Sequence, residues 1–138
     1  GVYDYKNASN WLALNSCDEE KVFNPSFDQM PGLFYWNQKN YYVVGLDPTF
    51  LYRHDKNLYW QWHKVAYDSP GQDFSLKDLH DILLNDFDTP YLFADTVQQA
   101  DLIEFIDTED SSQISFIKKY TDDFVTVYKI ANYPAVCD

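Results

Sequence analysis

The spacing of apolar residues along this chain switches between helical and strand periods, and short polar breaks separate the segments. Between residues 7 and 17 the pattern predicts a helix, with Asn7 or Ser9 as cap and Trp11, Leu12 and Leu14 on its buried side. A short strand is expected at Lys21 to Asn24, closed by Asn24-Pro25-Ser26. A loop carrying one helical turn then runs through Pro31-Gly32 to Tyr35-Trp36. Asn37 to Asn40 turns the chain into a strand at Tyr41 to Leu46, which stops at Asp47-Pro48. After a connector, Asp55 caps a helix on which Leu58, Trp62, Val65 and Ala66 share one face.

The second half repeats this punctuation. Ser69-Pro70-Gly71 ends the helix, and Ser75 with Asp78 makes a capping-box start for another, on which Leu76, Leu79, Ile82 and Leu83 align. Tyr91 to Ala94 is a compact strand ending at Asp95, and Thr96 with Gln99 forms a further box that opens a helix through Ile106. Ile114 to Tyr120 and Phe124 to Ile130 are β-rich and flank Thr121-Asp122-Asp123, which predicts an antiparallel hairpin. The expected fold is α/β, a central, mostly parallel sheet flanked by helices with the C-terminal hairpin at its edge. Residues 1–138 are read as a single domain, because halves of this length would be too small to hold separate cores.

Composition narrows the class of partner. Aromatic residues make up 19% of the chain, enough ring surface to exclude a disordered acidic tail. The formal charge of −12 repels phosphate backbones and anionic headgroups, which argues against nucleic acid. Cys17 and Cys137 lie near opposite ends. They are either an export-compartment staple or two plain thiols, and the closeness of chain ends in most domains favours the staple. No apolar run approaches the ~18 residues of a spanning helix. A chain opening on Gly1 rather than Met is expected to be a processed or excised part of a longer one.

Several constellations suggest chemistry, and each has a plainer reading. His54-Asp55 and His80-Asp81, with His63, resemble metal-binding HD pairs, but Asp55 is better used as a cap and His80 lies among core positions. Asp86-Phe87-Asp88 is a DxD triplet in a loop before a strand, where a turn is the better assignment. No glycine-rich phosphate cradle or nucleophile elbow is present, so neither a cofactor, a metal nor a catalytic residue is assigned. The candidates are ligand-binding ones. Asp47 and Asp95 terminate predicted parallel strands, where with Asn24 they either face one crevice or cap the following turns. Trp36, Tyr59 and Trp60, among neighbouring rings Tyr35, Tyr41, Tyr42 and Trp62, form either a sugar-stacking platform or core and rim packing.

The ordered series Trp11-Leu12, Val22-Phe23-Asn24, Leu33-Phe34-Tyr35, Asn37, Tyr42-Val43-Val44-Gly45-Leu46-Asp47-Pro48, Leu58-Tyr59 and Val127-Tyr128-Lys129-Ile130 carries a resemblance over nearly the whole chain. It resembles the C-terminal extracytoplasmic soluble domain of bacterial polytopic membrane proteins related to the GT-C, dolichyl-phosphate-mannose-type glycosyltransferases. The distinctive word is GLDPTF. The resemblance implies a non-catalytic periplasmic or cell-surface module, tethered to the transmembrane portion of the same polypeptide and contributing to recognition of an acceptor glycan or protein. The alternative is a freestanding secreted glycan- or protein-binding module that uses its exposed aromatics.

Overall fold

The computed structural model describes residues 2–26, 29–43 and 48–134. A 3-10 turn, Val2–Tyr5, leads into α1 (Lys6–Asn15), followed by β1 (Lys21–Phe23), α2 (Met30–Trp36) and β2 (Tyr41–Tyr42). Two helices follow in immediate succession, α3 (Pro48–His54) and α4 (Lys56–Tyr67), then α5 (Leu76–Asp81) and a π-helical turn, Ile82–Asp86. The chain closes with β3 (Tyr91–Asp95), α6 (Ala100–Glu109), β4 (Phe116–Thr121) and β5 (Val125–Ile130).

The five strands form one mixed sheet in the order β2-β1-β3-β5-β4. β1 pairs in parallel with β2 and with β3, whereas β3–β5 and β5–β4 are antiparallel. The α/β class, the parallel side and the C-terminal hairpin are those expected from sequence. The hairpin is joined through β5, which leaves β4 as the edge strand, and a register shift between Lys118 and Tyr120 interrupts the ladder there.

Alternation along the strands divides the core into two layers. Phe23, Leu92, Phe116, Tyr128 and Ile130 point to one side, where Trp62 and Val65 of α4, Leu79 of α5 and Leu102 and Ile106 of α6 cover them. Val22, Tyr91, Phe93, Val125 and Val127 point to the other, under Ala8 and Leu12 of α1 and Leu33 of α2. Burial on both faces explains the near-continuous apolar runs of β3 and β5. Gly32 lets α2 approach the N-terminal turn, since a Cβ there would lie 2.9 Å from Cδ2 of Tyr5.

Local signals were realised in part. Asp55 caps α4 by accepting from the Leu58 amide, and Ser75 with Asp78 forms the full reciprocal box at α5. At α1 neither Asn7 nor Ser9 caps: the helix continues from the 3-10 turn with Tyr5 at the cap position and no side-chain cap bond. Leu14 is 84% exposed, because it sits two residues, about 200°, from buried Leu12. The other end of α1 is closed by Lys39, whose Nζ donates to the carbonyls of Ala13 and Ser16. β2 pairs over Tyr41 and Tyr42, continued by the Val43 amide donating to the Val22 carbonyl at 3.0 Å. The remainder of the strand expected to reach Leu46 falls on residues 44–47, outside the described residues. The stretch expected to be a connector after Pro48 is helix α3.

Candidate functional site

Strand order reverses between β1 and β3, and the helices that follow these two strands lie on opposite faces of the sheet. Such a switch point opens a crevice beyond the strand ends. Asn24 follows β1 and Asp95 ends β3 at this point, while Asp47 is outside the described residues. Both described residues are engaged with groups of the chain itself. Asn24 is fully buried; its carbonyl accepts from Nε1 of Trp62 at 3.1 Å, and its Nδ2 donates to the Ser26 carbonyl.

Asp95 is equally engaged. One carboxylate oxygen accepts from the amides of Val97 and Gln98 at 2.8 and 2.9 Å, and the other accepts from the Tyr5 hydroxyl at 2.8 Å. The expected Thr96/Gln99 box is therefore replaced by a reciprocal arrangement one residue earlier. Gln99 Oε1 accepts from the Asp95 amide at 2.7 Å, while the Thr96 hydroxyl donates instead to the Asp123 carbonyl in the hairpin. The same Gln99 oxygen accepts from Nε2 of Gln29 at 2.8 Å, which fixes the orientation of the Gln29 amide and leaves its buried carbonyl oxygen without a protein donor. Tyr5 and Gln29 were not singled out in the sequence, since nothing local ties residue 5 or 29 to the end of β3, and Gln99 was read only as the partner of Thr96.

The aromatic candidates separate into two groups. Trp36 ends α2 on the face shared with α1; it packs beside Tyr3 and Tyr35, with the Lys6 ammonium 5.0 Å from its ring. Tyr59 and Trp60 belong to α4 on the other face, so Trp36 is not part of one platform with them. Tyr42 is half-buried, donating to the Asn37 carbonyl at 2.6 Å, and the loss of solvent raises its pKa above the ordinary tyrosine value. Tyr41 is exposed at the sheet edge, its pKa raised by the Glu19 carboxylate.

On α4 a continuous row of rings is assembled. Tyr59, His63 and Tyr67 recur every four residues, with centroids 5.9 and 4.8 Å apart and neighbouring planes inclined by 42° and 43°. Trp60 flanks the row, 5.0 Å from Tyr59 and 5.1 Å from His63, and Tyr52 of α3 extends it at 5.2 Å from Tyr59. Trp60 is 54% exposed and Tyr67 is 62% exposed, while Trp62 turns inward to the core. His63 and Tyr67 were legible from the i, i+4, i+8 spacing but were not grouped with Tyr59.

Beyond Tyr67 a cleft of about 230 Å³ opens between the end of α4 and the start of α6, with Asp68, Gln98, Gln99 and Asp101 in its walls. A second, of about 370 Å³, lies along α6 past Ser69-Pro70, where Glu104 and Glu109 join Asp101. No lysine, arginine or histidine is among the described residues lining either one.

The remaining motifs have structural employment. Nε2 of His80 lies 2.9 Å from the Ala131 carbonyl, which makes that nitrogen the protonated one, and the ring stands edge-on to Phe116. Asp86 accepts from Gln61, and Asp88, in a left-handed turn conformation, accepts from the Tyr133 hydroxyl. Among the described residues no group of three or more His, Cys, Asp or Glu converges. Cys17 is disulfide-bonded; Cys137, its expected partner, lies outside the described residues. No helix among the described residues is long and apolar enough to cross a membrane. Against known proteins, the chain matches no family model, no characterised protein and no solved structure.

Proposed function

We propose that this chain is a non-catalytic, extracytoplasmic domain of a membrane-bound, GT-C-like glycosyltransferase, tethered to the transmembrane portion of the same polypeptide, and that it contributes to recognition of an acceptor glycan. The observation that carries the reading is the ring row of α4, in which Trp60 and Tyr67 are exposed and Tyr59 and His63 are half-buried between them. Amphipathic rings left in water on one face suit the C–H faces of pyranoses and leave their polar tips for hydroxyls. Two further points support it. The disulfide at Cys17 is the chemistry of an oxidising compartment, periplasmic or cell-surface. Among the described residues at the sheet's switch point, the Asn24 and Asp95 side chains are held by hydrogen bonds within the chain, which is compatible with a contact role.

The test is binding to a glycan array by the folded chain and by Trp60→Ala. Loss of about tenfold or more in affinity, roughly 1.4 kcal/mol, with an unchanged circular dichroism spectrum is expected. Silence across the array would remove the glycan reading. The membrane tether is tested separately by the gene: a parent reading frame that encodes no hydrophobic spans refutes it and leaves the freestanding secreted module, which uses the same rings.

A further inference from the structure

The ring row of α4 ends at the rim of a cleft. Its last member, Tyr67, is also a wall of the 230 Å³ cleft between α4 and α6. Val65 and Leu102, both buried in the core, lie behind it, and Asp68, Gln98 and Asp101 stand in its walls. We propose that this cleft is the end-pocket of the glycan site, taking a terminal sugar that is uncharged or carries an amino group, while Tyr67, His63 and Tyr59 support the sugars that follow. The inference rests on the reading that the α4 rings contact a glycan.

The chemistry of the walls selects the ligand. A pyranose presents an apolar face and a rim of hydroxyls, each able to donate and to accept. Asp68 and Asp101 offer carboxylate acceptors, and bonds from a hydroxyl or an ammonium to a carboxylate are the stronger, charge-assisted kind. Gln99 complements them. Its oxygen is already committed to the Asp95 amide and to Gln29, so what that side chain retains is donor capacity. A sugar bearing carboxylate or phosphate would meet two like charges and no lining cation, on a chain whose formal charge is −12. Acidic sugars are thus rejected, and a hexose, an N-acetylhexosamine or a hexosamine is accepted.

Continuity between row and pocket sets the length dependence. A monosaccharide gains only the cleft, whereas a longer chain anchored there meets the rings at raised local concentration. Titration of the isotope-labelled 138-residue chain by NMR tests this, with mannose, N-acetylglucosamine, glucosamine, glucuronic acid and the uncharged trisaccharides as probes. The neutral and amino monosaccharides should shift the amides of Asp68, Ser69 and residues 98–102, and glucuronic acid should not. Trisaccharides should extend the shifts to residues 59–67 and bind about tenfold tighter or more.

Gln98→Ala and Asp101→Asn, both at exposed positions, should each weaken monosaccharide binding by about fivefold or more with an otherwise native spectrum. Trp60→Ala should weaken the trisaccharides more than the monosaccharides. Trisaccharide binding that is lost in Trp60→Ala but neither moves the cleft amides nor responds to Gln98→Ala and Asp101→Asn overturns the end-pocket and leaves the ring reading standing. Preference for glucuronic acid overturns the assigned ligand class. No shift at either place with any sugar overturns both.

Discussion

The indole Nε1 of Trp62 donates to the backbone carbonyl of Asn24 across 3.1 Å, joining the middle of α4 to the C-terminal end of β1. Both residues are fully buried, so this polar contact sits where water cannot replace either partner. It also fixes the helix that carries the ring row relative to the sheet. Trp62→Phe keeps an aromatic core but strips the donor and leaves a void, and should cost about 2–3 kcal/mol. Urea unfolding monitored by circular dichroism measures it. A loss below about 0.5 kcal/mol would mean that the contact does not anchor α4.

A second anchor joins α6 to the hairpin. Buried Asp110 accepts from the amides of Ile114, Ser115 and Phe116, at 3.1, 2.9 and 2.7 Å, and so shapes the chain into β4. Asp110→Ala leaves those donors without their acceptor, including the buried one of Phe116, and is expected to destabilise by about 2–4 kcal/mol. Amide hydrogen exchange should quicken first at residues 114–116. Wild-type protection there in the variant contradicts the assignment.

These two anchors differ in how far the sequence discloses them. Ser75 with Asp78 and Asp55 before Leu58 are cap signals that need only neighbouring residues, and both were readable. The strands around Val22-Phe23 and Tyr91-Ala94 were readable because burial on both faces writes them as apolar runs. What escaped depends on distant parts of the chain. Thr96 has the residue type of a cap, yet its hydroxyl goes to Asp123 of the hairpin, Asp95 holds the turn at Val97 and Gln98, and α6 starts only at Ala100 with no side-chain cap. Trp36 and Trp60 look alike in sequence but lie on opposite layers, because the helices bearing them cover opposite faces of the sheet. The cleft beside Tyr67 arises only when α6 is laid against the end of α4, after a turn in which Gly71 takes a φ of +85°.

Alkaline pH should unfold this protein in a defined window. Tyr91, Tyr120 and Tyr133 have pKa values pushed up to about 12 from an ordinary 10.0, chiefly by burial, with Glu20, Asp122 and Asp88 respectively adding repulsion of the phenolate. Tyr128 is shifted in the same direction by burial and by Asp107. A folded-state pKa above the unfolded one means that the native state holds its proton more tightly. The stabilisation is complete below about pH 10 and is lost as pH climbs towards 12. Urea midpoints should therefore be flat from neutral pH to about 9.5 and fall above it. Phenolate absorbance should show a native fraction that ionises only on unfolding; a single titration of every tyrosine near its ordinary value would refute this.

The Tyr5–Asp95 contact separates structure from recognition at the switch point. The Tyr5 hydroxyl donates to one oxygen of Asp95 across 2.8 Å, and its ring stands edge-on to Phe93 at 5.2 Å. The other Asp95 oxygen serves the amides of Val97 and Gln98, just ahead of α6. Tyr5→Phe removes one hydrogen bond to a carboxylate that keeps two others, and should cost about 1–2 kcal/mol. Asp95→Ala removes all three, loosens the segment leading into α6, and should cost about 3 kcal/mol or more. Because the cleft is built partly from Gln98 and Gln99, the two variants differ in what they do to it. Tyr5→Phe should bind glycans as the parent does, whereas Asp95→Ala should weaken binding in proportion to the hydrogen exchange it provokes at residues 97–99. If instead Asp95→Ala abolished binding while exchange at those amides stayed at wild-type rates, the carboxylate itself would be a ligand contact, and the switch point rather than α4 would be the place where this domain meets its partner.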